Sequence, residues 1–463
     1  MGKLMKKNLF FASVLMAMMF AGCSSESNEE IKSQDAPIAE GNQVTLTVSA
    51  VAMDPNATRV EYGSTDATWE TGDKIYLIKS DGTTITLTLS SGAGTSEGSF
   101  TSTDPVVAGT YTPYAVSATS LSKGYVSVSE GQITLDLSAG GGGTLADALE
   151  HDILKGTAVV LTDNQTTAEI EGLTTHMLSY LRFKFSATAK AVTTIGVSSA
   201  GGINQTVTIA ANGTVTGSNP TTSAISVTAG NAGENTYAGY VAVYGSTSTS
   251  LVAHAEDEDG GKYSRLVSTN TANYTAGKVY GKSFTLSNAM MTAAATGTLS
   301  DQNWKNLGLS VKWAEFNVGS SSEYSYDRNI GNCVNRNECN IPVEWSGWRK
   351  PTRAEAQELF YASNRQWVTG TSNGVKFNCN DNYVAMGAGG RYRTNGDNEY
   401  EYGIGADVYF YVSSTSDGSY GNTVQDWAVI GDSGTSLSFT YSNAETKNDY
   451  WYNYSAMRLV CDY

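Results

Sequence analysis

Five cysteines and three histidines carry most of the reactive chemistry that 463 residues could offer here. His151, His176 and His254 all precede the C-terminal third. A histidine-based triad or a histidine-containing zinc site is therefore excluded from that third. Cys333, Cys339, Cys379 and Cys461 do fall in it. Cys333 and Cys339 do not form a CxxC pair, and no second pair completes a zinc site. In an exported chain these four thiols allow three disulfide pairings, and free, partly buried thiols are the alternative. Gly140 to Gly143 is a glycine run, but no Lys-Ser/Thr follows it. A phosphate loop needs that lysine, so a flexible hairpin is the expectation. Glu256-Asp257-Glu258-Asp259 offers the oxygen ligands that calcium prefers. Consecutive residues of an extended chain point apart and EF-hand spacing is missing, so a solvated hairpin tip is expected. Aromatic clusters are the stronger candidates. Tyr450, Trp451 and Tyr452, with Trp427, could contact a sugar or a protein, and Asp426, Asn448 and Asp449 could supply polar partners. About half of the aromatics in an alternating strand point inward as core, so packing competes with ligand contact at each position. No carboxylate pair lies in a recognisable glycosidase motif. The reading is of a binding protein, not an enzyme, with no catalytic residue, no metal site and no cofactor.

The elements that would position these side chains read as β-structure. Charged residues make up only 16% of the chain, beside 48 Gly and 7 Pro. Period-two alternation recurs at Val44, Leu46 and Val48; at Ile85, Leu87 and Leu89; at Ile133, Leu135 and Leu137; and at Leu181, Phe183 and Phe185. Shorter repeats occur at Val207 and Ile209, Ile225 and Val227, and Val241 and Val243. Turn signals such as Ser80-Asp81-Gly82 and Ala211-Asn212-Gly213 separate the runs. Many short strands with frequent turns predict β-sandwiches. One helix is expected over about 144–155, capped by Thr144 with Asp147 and ended by Gly156. Length predicts about three domains at ~150 residues each. The formal charge of −16 argues against nucleic-acid binding and against direct adsorption to anionic lipid.

The N-terminus supplies the membrane contact instead. Lys3, Lys6 and Lys7 precede an apolar run from Leu9 to Phe20, which ends in Ala21-Gly22-Cys23. This resembles a bacterial lipobox, which implies cleavage before Cys23 and a lipid on its thiol. An ordinary signal peptide with a chance cysteine and an N-terminal membrane anchor are the alternatives. The run is short for a spanning helix, which needs ~20 residues. The acidic stretch Ser24 to Glu30 resembles the export tag of surface lipoproteins in Gram-negative anaerobes, and as a tether it would be flexible.

TRVEYGSTDATWETGDKIYLI at 58–78, HDILKGTAVV at 151–160, THMLSYLRFKF at 175–185 and TAGKVYGKSFTL at 275–286 resemble landmarks of the fimbrillin family, the pilus subunits of such anaerobes. The resemblance covers roughly 42–288. It implies two transthyretin-like β-sandwiches, over 42–165 and 166–288, and polymerisation with other pilin subunits by strand donation. It also implies protease cleavage after an arginine. Arg59 is the only arginine between Cys23 and Arg182, with a surface strand residue as the alternative role. Residues 289–303 are small and featureless, as linkers are. Seven of the eight tryptophans follow residue 303. There LGLSVKWAEFNVG at 307–319, GWRKPTRAEAQELF at 347–360 and AMRLVCDY at 456–463 resemble the FISUMP domain, related in fold to C-type lectins and formylglycine-generating enzymes. Phe316 stands where that family often has cysteine, and nothing around Cys333 reproduces the enzymes' cysteine motif. Thr352 with Glu355 predicts a capped helix there.

The expected architecture is therefore mainly β. A signal peptide (1–22) and a lipidated tether (23–41) precede two sandwiches, the linker, and an α+β C-type-lectin-like domain over 304–463. The expected role is adhesion, as a tip or accessory subunit of a pilus. Its location would be the surface of the cell outer membrane, with contact to a host or microbial surface glycan or protein. A non-polymerising surface receptor is the alternative.

Overall fold

Alternating side chains become paired strands throughout the computed structural model. It describes residues 44–50, 68–138, 140–173, 175–247, 250–317, 346–369, 373–388, 391–395, 398–402, 406–413, 426–441, 451–454 and 458–463. The protein is mainly β, with several sheets and four short helices among the described residues. The first sheet runs in the order Thr167–Leu173, Val44–Ala50, Glu97–Ser102, Thr84–Ser91, Lys74–Lys79, Gly109–Val116, Leu154–Lys155 and Thr175–His176. Ile75, Leu77, Ile85, Leu87 and Phe100 alternate onto its core, where Trp69 meets Phe100 edge-on.

Ser179–Ala187 is central to a second sheet, between Thr236–Val243 and a parallel Val279–Leu286. The face carrying Leu181, Phe183 and Phe185 is buried throughout, whereas Arg182, Lys184 and Ser186 on the other face are half-buried. Leu181, Phe183 and Phe185 meet Ile195, Val197 and Ala253 of a four-stranded sheet built from 225–228, 192–199, 251–257 and 262–268. Tyr180 belongs instead to a core with Tyr76, Tyr114, Leu135 and Val207. One buried face beside one half-buried face explains the alternation of apolar and polar residues along the strand.

Strand pairing crosses position 165/166. Thr167–Leu173 pairs back onto Val44–Ala50, and Gln132–Asp136 pairs forward onto Ile203–Ile209. The helix expected over 144–155 is only Leu145–Leu149 (α2, following α1 at Ala118–Ser122). Thr144 and Asp147 do form the reciprocal cap, but Leu154–Lys155 is recruited as a strand by Gly109–Val116. The glycine run is no flexible hairpin. Gly141–Gly142 pairs with Val241 and Tyr240, and a Cβ at Gly141 would collide with the Tyr240 carbonyl.

The linker expected over 289–303 is also ordered. Ser287 caps a helix, α3 (Asn288–Thr292), whose Met290 and Met291 are buried in the second core. Thr296–Leu299 and Gln302–Lys305 then form a hairpin through Ser300 and Asp301, both at positive φ. Gly297 is small because the Trp304 ring lies where its Cβ would be. Beyond it, α4 (Arg353–Ala362) buries Ala356, Leu359 and Phe360 against Trp313, Phe377 and Phe410 in a separate core.

Candidate functional site

Cys23, Arg59 and Tyr450 lie outside the described residues, as do Cys333 and Cys339. The other aromatic candidates fall in two different sheets. Trp427 stands opposite Tyr411 and Thr440, on the central strand Asp426–Gly431. Trp451 and Tyr452 stand opposite Asn395 and Thr394, on Trp451–Tyr454 at the edge of another three-stranded sheet. The backbone thus does not gather Trp427 onto one strand pair with Trp451 and Tyr452.

Cys379 and Cys461 are free, buried thiols. Burial pushes them up to about 12 and about 11, so neither is a thiolate nucleophile near neutrality. Among the described residues no group of three or more His, Cys, Asp or Glu could hold a metal ion. The acidic hairpin tip is only partly solvated. Asp257 is buried and accepts from the Tyr263 hydroxyl at 2.7 Å, the Gly261 amide at 2.8 Å and the Asp259 amide at 3.0 Å. Burial raises its pKa, but these donors outweigh burial and hold the carboxyl below its ordinary value. The Lys190 ammonium sits 3.5 Å away.

The histidines carry structural duties that their sequence neighbours do not announce. His254 Nε2 lies 2.7 Å from Ser198 Oγ and its Nδ1 lies 3.0 Å from Ser264 Oγ. Burial pushes it down to about 4, so it is neutral near pH 7. His176 Nδ1 meets Asp152 Oδ2 at 2.7 Å, while the other Asp152 oxygen accepts the amides of Ile153, Met177 and Leu178. His151 stacks on Tyr125.

The two most distinctive C-terminal motifs lock onto each other. Arg349 forks onto Glu355 at 2.8 and 2.6 Å and reaches Asp462 at 2.8 Å. Glu355 closes the reciprocal cap of α4 with Thr352. Burial raises the Glu355 pKa, yet the Arg349 and Thr352 bonds bring it below the ordinary value. Arg458 is fully buried and donates to Asn317 Oδ1 and to the carbonyls of Ala314, Glu315 and Ala385. The motif residues are thus committed to closing the fold.

The remaining candidate is a backbone site. Val44–Ala50 lies inside the first sheet, antiparallel to Glu97–Ser102 and parallel to Thr167–Leu173. Leu46 stands opposite Phe100 and Ala168, and Val48 opposite Gly98 and Ile170. Phe100, Ile170 and Leu173 are buried. Taking this strand away would leave ladder groups unpaired on both neighbours at once. Such a gap accepts an extended peptide with apolar residues at alternate positions. What such a gap would offer is main-chain hydrogen bonding to an extended peptide.

No protein-family model and no curated protein matches the chain. Solved structures do resemble it. A proposed cell-adhesion protein from Bacteroides ovatus is 14% identical with a TM-score of 0.37, over 54% of this chain and 93% of that one. A proposed cell-adhesion protein from Bacteroides uniformis is 18% identical with a TM-score of 0.34, over 54% and 95%. The tip fimbrial protein Mfa3 from Porphyromonas gingivalis, with a C-terminal truncation, is 14% identical with a TM-score of 0.27, over 49% and 82%.

Proposed function

We propose that this chain is a lipid-anchored surface adhesin that joins fimbrial subunits by strand exchange and ends or decorates a fibre. One observation carries the reading. Val44–Ala50, which follows Cys23 in the sequence, is hydrogen-bonded on both edges within the first sheet. Arg59 follows it in the chain before that sheet resumes at Lys74–Lys79. Cleavage there would free the strand and open the sheet to a neighbouring subunit.

The preference for a fibre end has a steric basis. Among the described residues, Val279–Leu286 pairs only with Ser179–Ala187, at the edge of its sheet. It leads directly into α3, whose Met290 and Met291 are buried, and then into the C-terminal module. A strand held down at its exit cannot easily be donated. The aromatic set Trp427, Tyr450, Trp451 and Tyr452 would contact a surface glycan or protein in that module.

N-terminal sequencing of the surface form, with its assembly state, tests this function. A form beginning at Val60 and found in fibres is the expected result, and Arg59→Ala should keep it unassembled. A form that retains Cys23 and Val44–Ala50 yet assembles normally would overturn strand exchange at this site. A persistently monomeric form with both retained would favour the receptor reading.

A further inference from the structure

The C-terminal module meets the hairpin formed by Leu251–Asp257 and Lys262–Ser268. Separate domains usually meet through small, mobile interfaces, so relative motion is the ordinary expectation. Here backbone carbonyls and side chains both make the contact. The Ser264 amide donates to the Gly308 carbonyl at 2.9 Å, which lengthens the edge-strand ladder into the C-terminal module. Arg265 Nη1 donates to the same carbonyl at 3.3 Å. From the module's own hairpin tip, Asn380 Nδ2 donates to the Lys262 carbonyl at 2.7 Å and to the Leu307 carbonyl at 2.8 Å. One side-chain amide therefore bridges the two parts.

Around this seam lies a buried polar ring. Glu358 of α4 accepts from the Ser310 amide at 2.8 Å and stands 3.9 Å from Arg265. Arg265 Nη2 also meets the Met290 sulfur at 2.7 Å, so α3 joins the same cluster. The backbone at Gly308 has φ +66°, and a Cβ there would collide with the Lys262 carbonyl and the Asn380 amide. Only glycine permits the approach.

We propose that Gly308 and Asn380 form a clamp that makes the C-terminal module and the four-stranded sheet one mechanical body. Any pull on the outer module then passes into Lys262–Ser268 without an intervening hinge. Fimbrial assembly plays no part in this coupling, which governs only how the two parts move.

Calorimetry and amide hydrogen exchange on the full chain test it. The expected native behaviour is joint unfolding of the C-terminal core and the 251–268 hairpin, with the Ser264 amide protected as strongly as Val384 and Met386. Gly308→Val should separate the transitions and speed exchange at Ser264 at least ten-fold, leaving Ile75 and Leu77 unchanged. Asn380→Ala, at a hairpin tip, provides a milder variant should Gly308→Val fail to fold, and the same local acceleration is expected. Independent unfolding of the two parts in the native chain, or Ser264 exchange unaffected by Asn380→Ala, would overturn the clamp.

Discussion

Asp257 shows how a residue that reads as surface charge can become a buried hub. Three donors converge on its carboxylate, and one of them is the buried Tyr263 hydroxyl. Asp257→Ala leaves those donors short of an acceptor, at a cost of about 2–3 kcal/mol by the usual penalty for orphaned buried groups. Urea unfolding followed by fluorescence should show the loss, while Asp259→Ala, at an exposed position, should change stability by about 0.5 kcal/mol or less. His254 gives a second residue-scale prediction. Its folded pKa is pushed from 6.5 down to about 4. Between those values the unfolded chain binds a proton that the folded chain refuses. Its contribution is therefore complete above pH 6.5 and lost as the pH falls towards 4. Burial lowers His151 in the same sense, so the difference between the native chain and His254→Gln isolates this group. The variant should have a flatter stability profile in that window, and equal slopes would exclude the mechanism.

At the scale of elements, helix α4 depends on a reciprocal cap and on the Arg349 fork. Thr352→Ala should cost about 1 kcal/mol, the usual loss of an N-cap. Arg349→Ala should cost less singly than its geometry suggests, because the guanidinium is partly exposed and water replaces some of the pairing. The Thr352 and Arg349 effects should be non-additive, since the Thr352 hydroxyl accepts from the Glu355 amide while Arg349 holds the carboxylate of the same residue. A double-mutant cycle measures that coupling. This cap was legible in the sequence because its two residues are three apart. The strands through Ile85, Ile133 and Phe183 were legible for the same local reason, since alternation is visible within one segment. The sharing of a sheet by Gln132–Asp136 and Ile203–Ile209 was not. Pairing between strands some 70 positions apart leaves no mark in either strand's pattern. The 289–303 segment misled because Gly297 is small to admit Trp304, and smallness alone reads as a linker. Residue type alone marks the aromatic candidates, and only long-range register assigns Trp427 and Trp451 to different sheets.

For the whole molecule the decisive question is whether the first strand is replaceable. Val44–Ala50 is joined to the first sheet along both edges, so its ladder bonds link Glu97–Ser102 with Thr167–Leu173. A chain lacking residues 1–50 should keep its other sheets, because their cores draw on residues from 76 onward. It should nevertheless lose stability in the first sheet and self-associate, since two unpaired edges then face water or another chain. A synthetic peptide, VTLTVSA, supplied in trans should occupy the gap in the native register and suppress self-association. At a concentration 100 times its dissociation constant, it should recover about 2.7 kcal/mol, as mass action requires of any ligand bound only by the folded state. A control peptide, VVLTTSA, contains the same residues but breaks the alternation of apolar positions, and should recover far less. Differential scanning calorimetry together with light scattering would read both effects. Equal rescue by the two peptides would mean that the gap does not select the apolar register. No rescue by either would mean that the strand belongs to the sheet only as part of a continuous chain, and strand exchange at this position would fail with it.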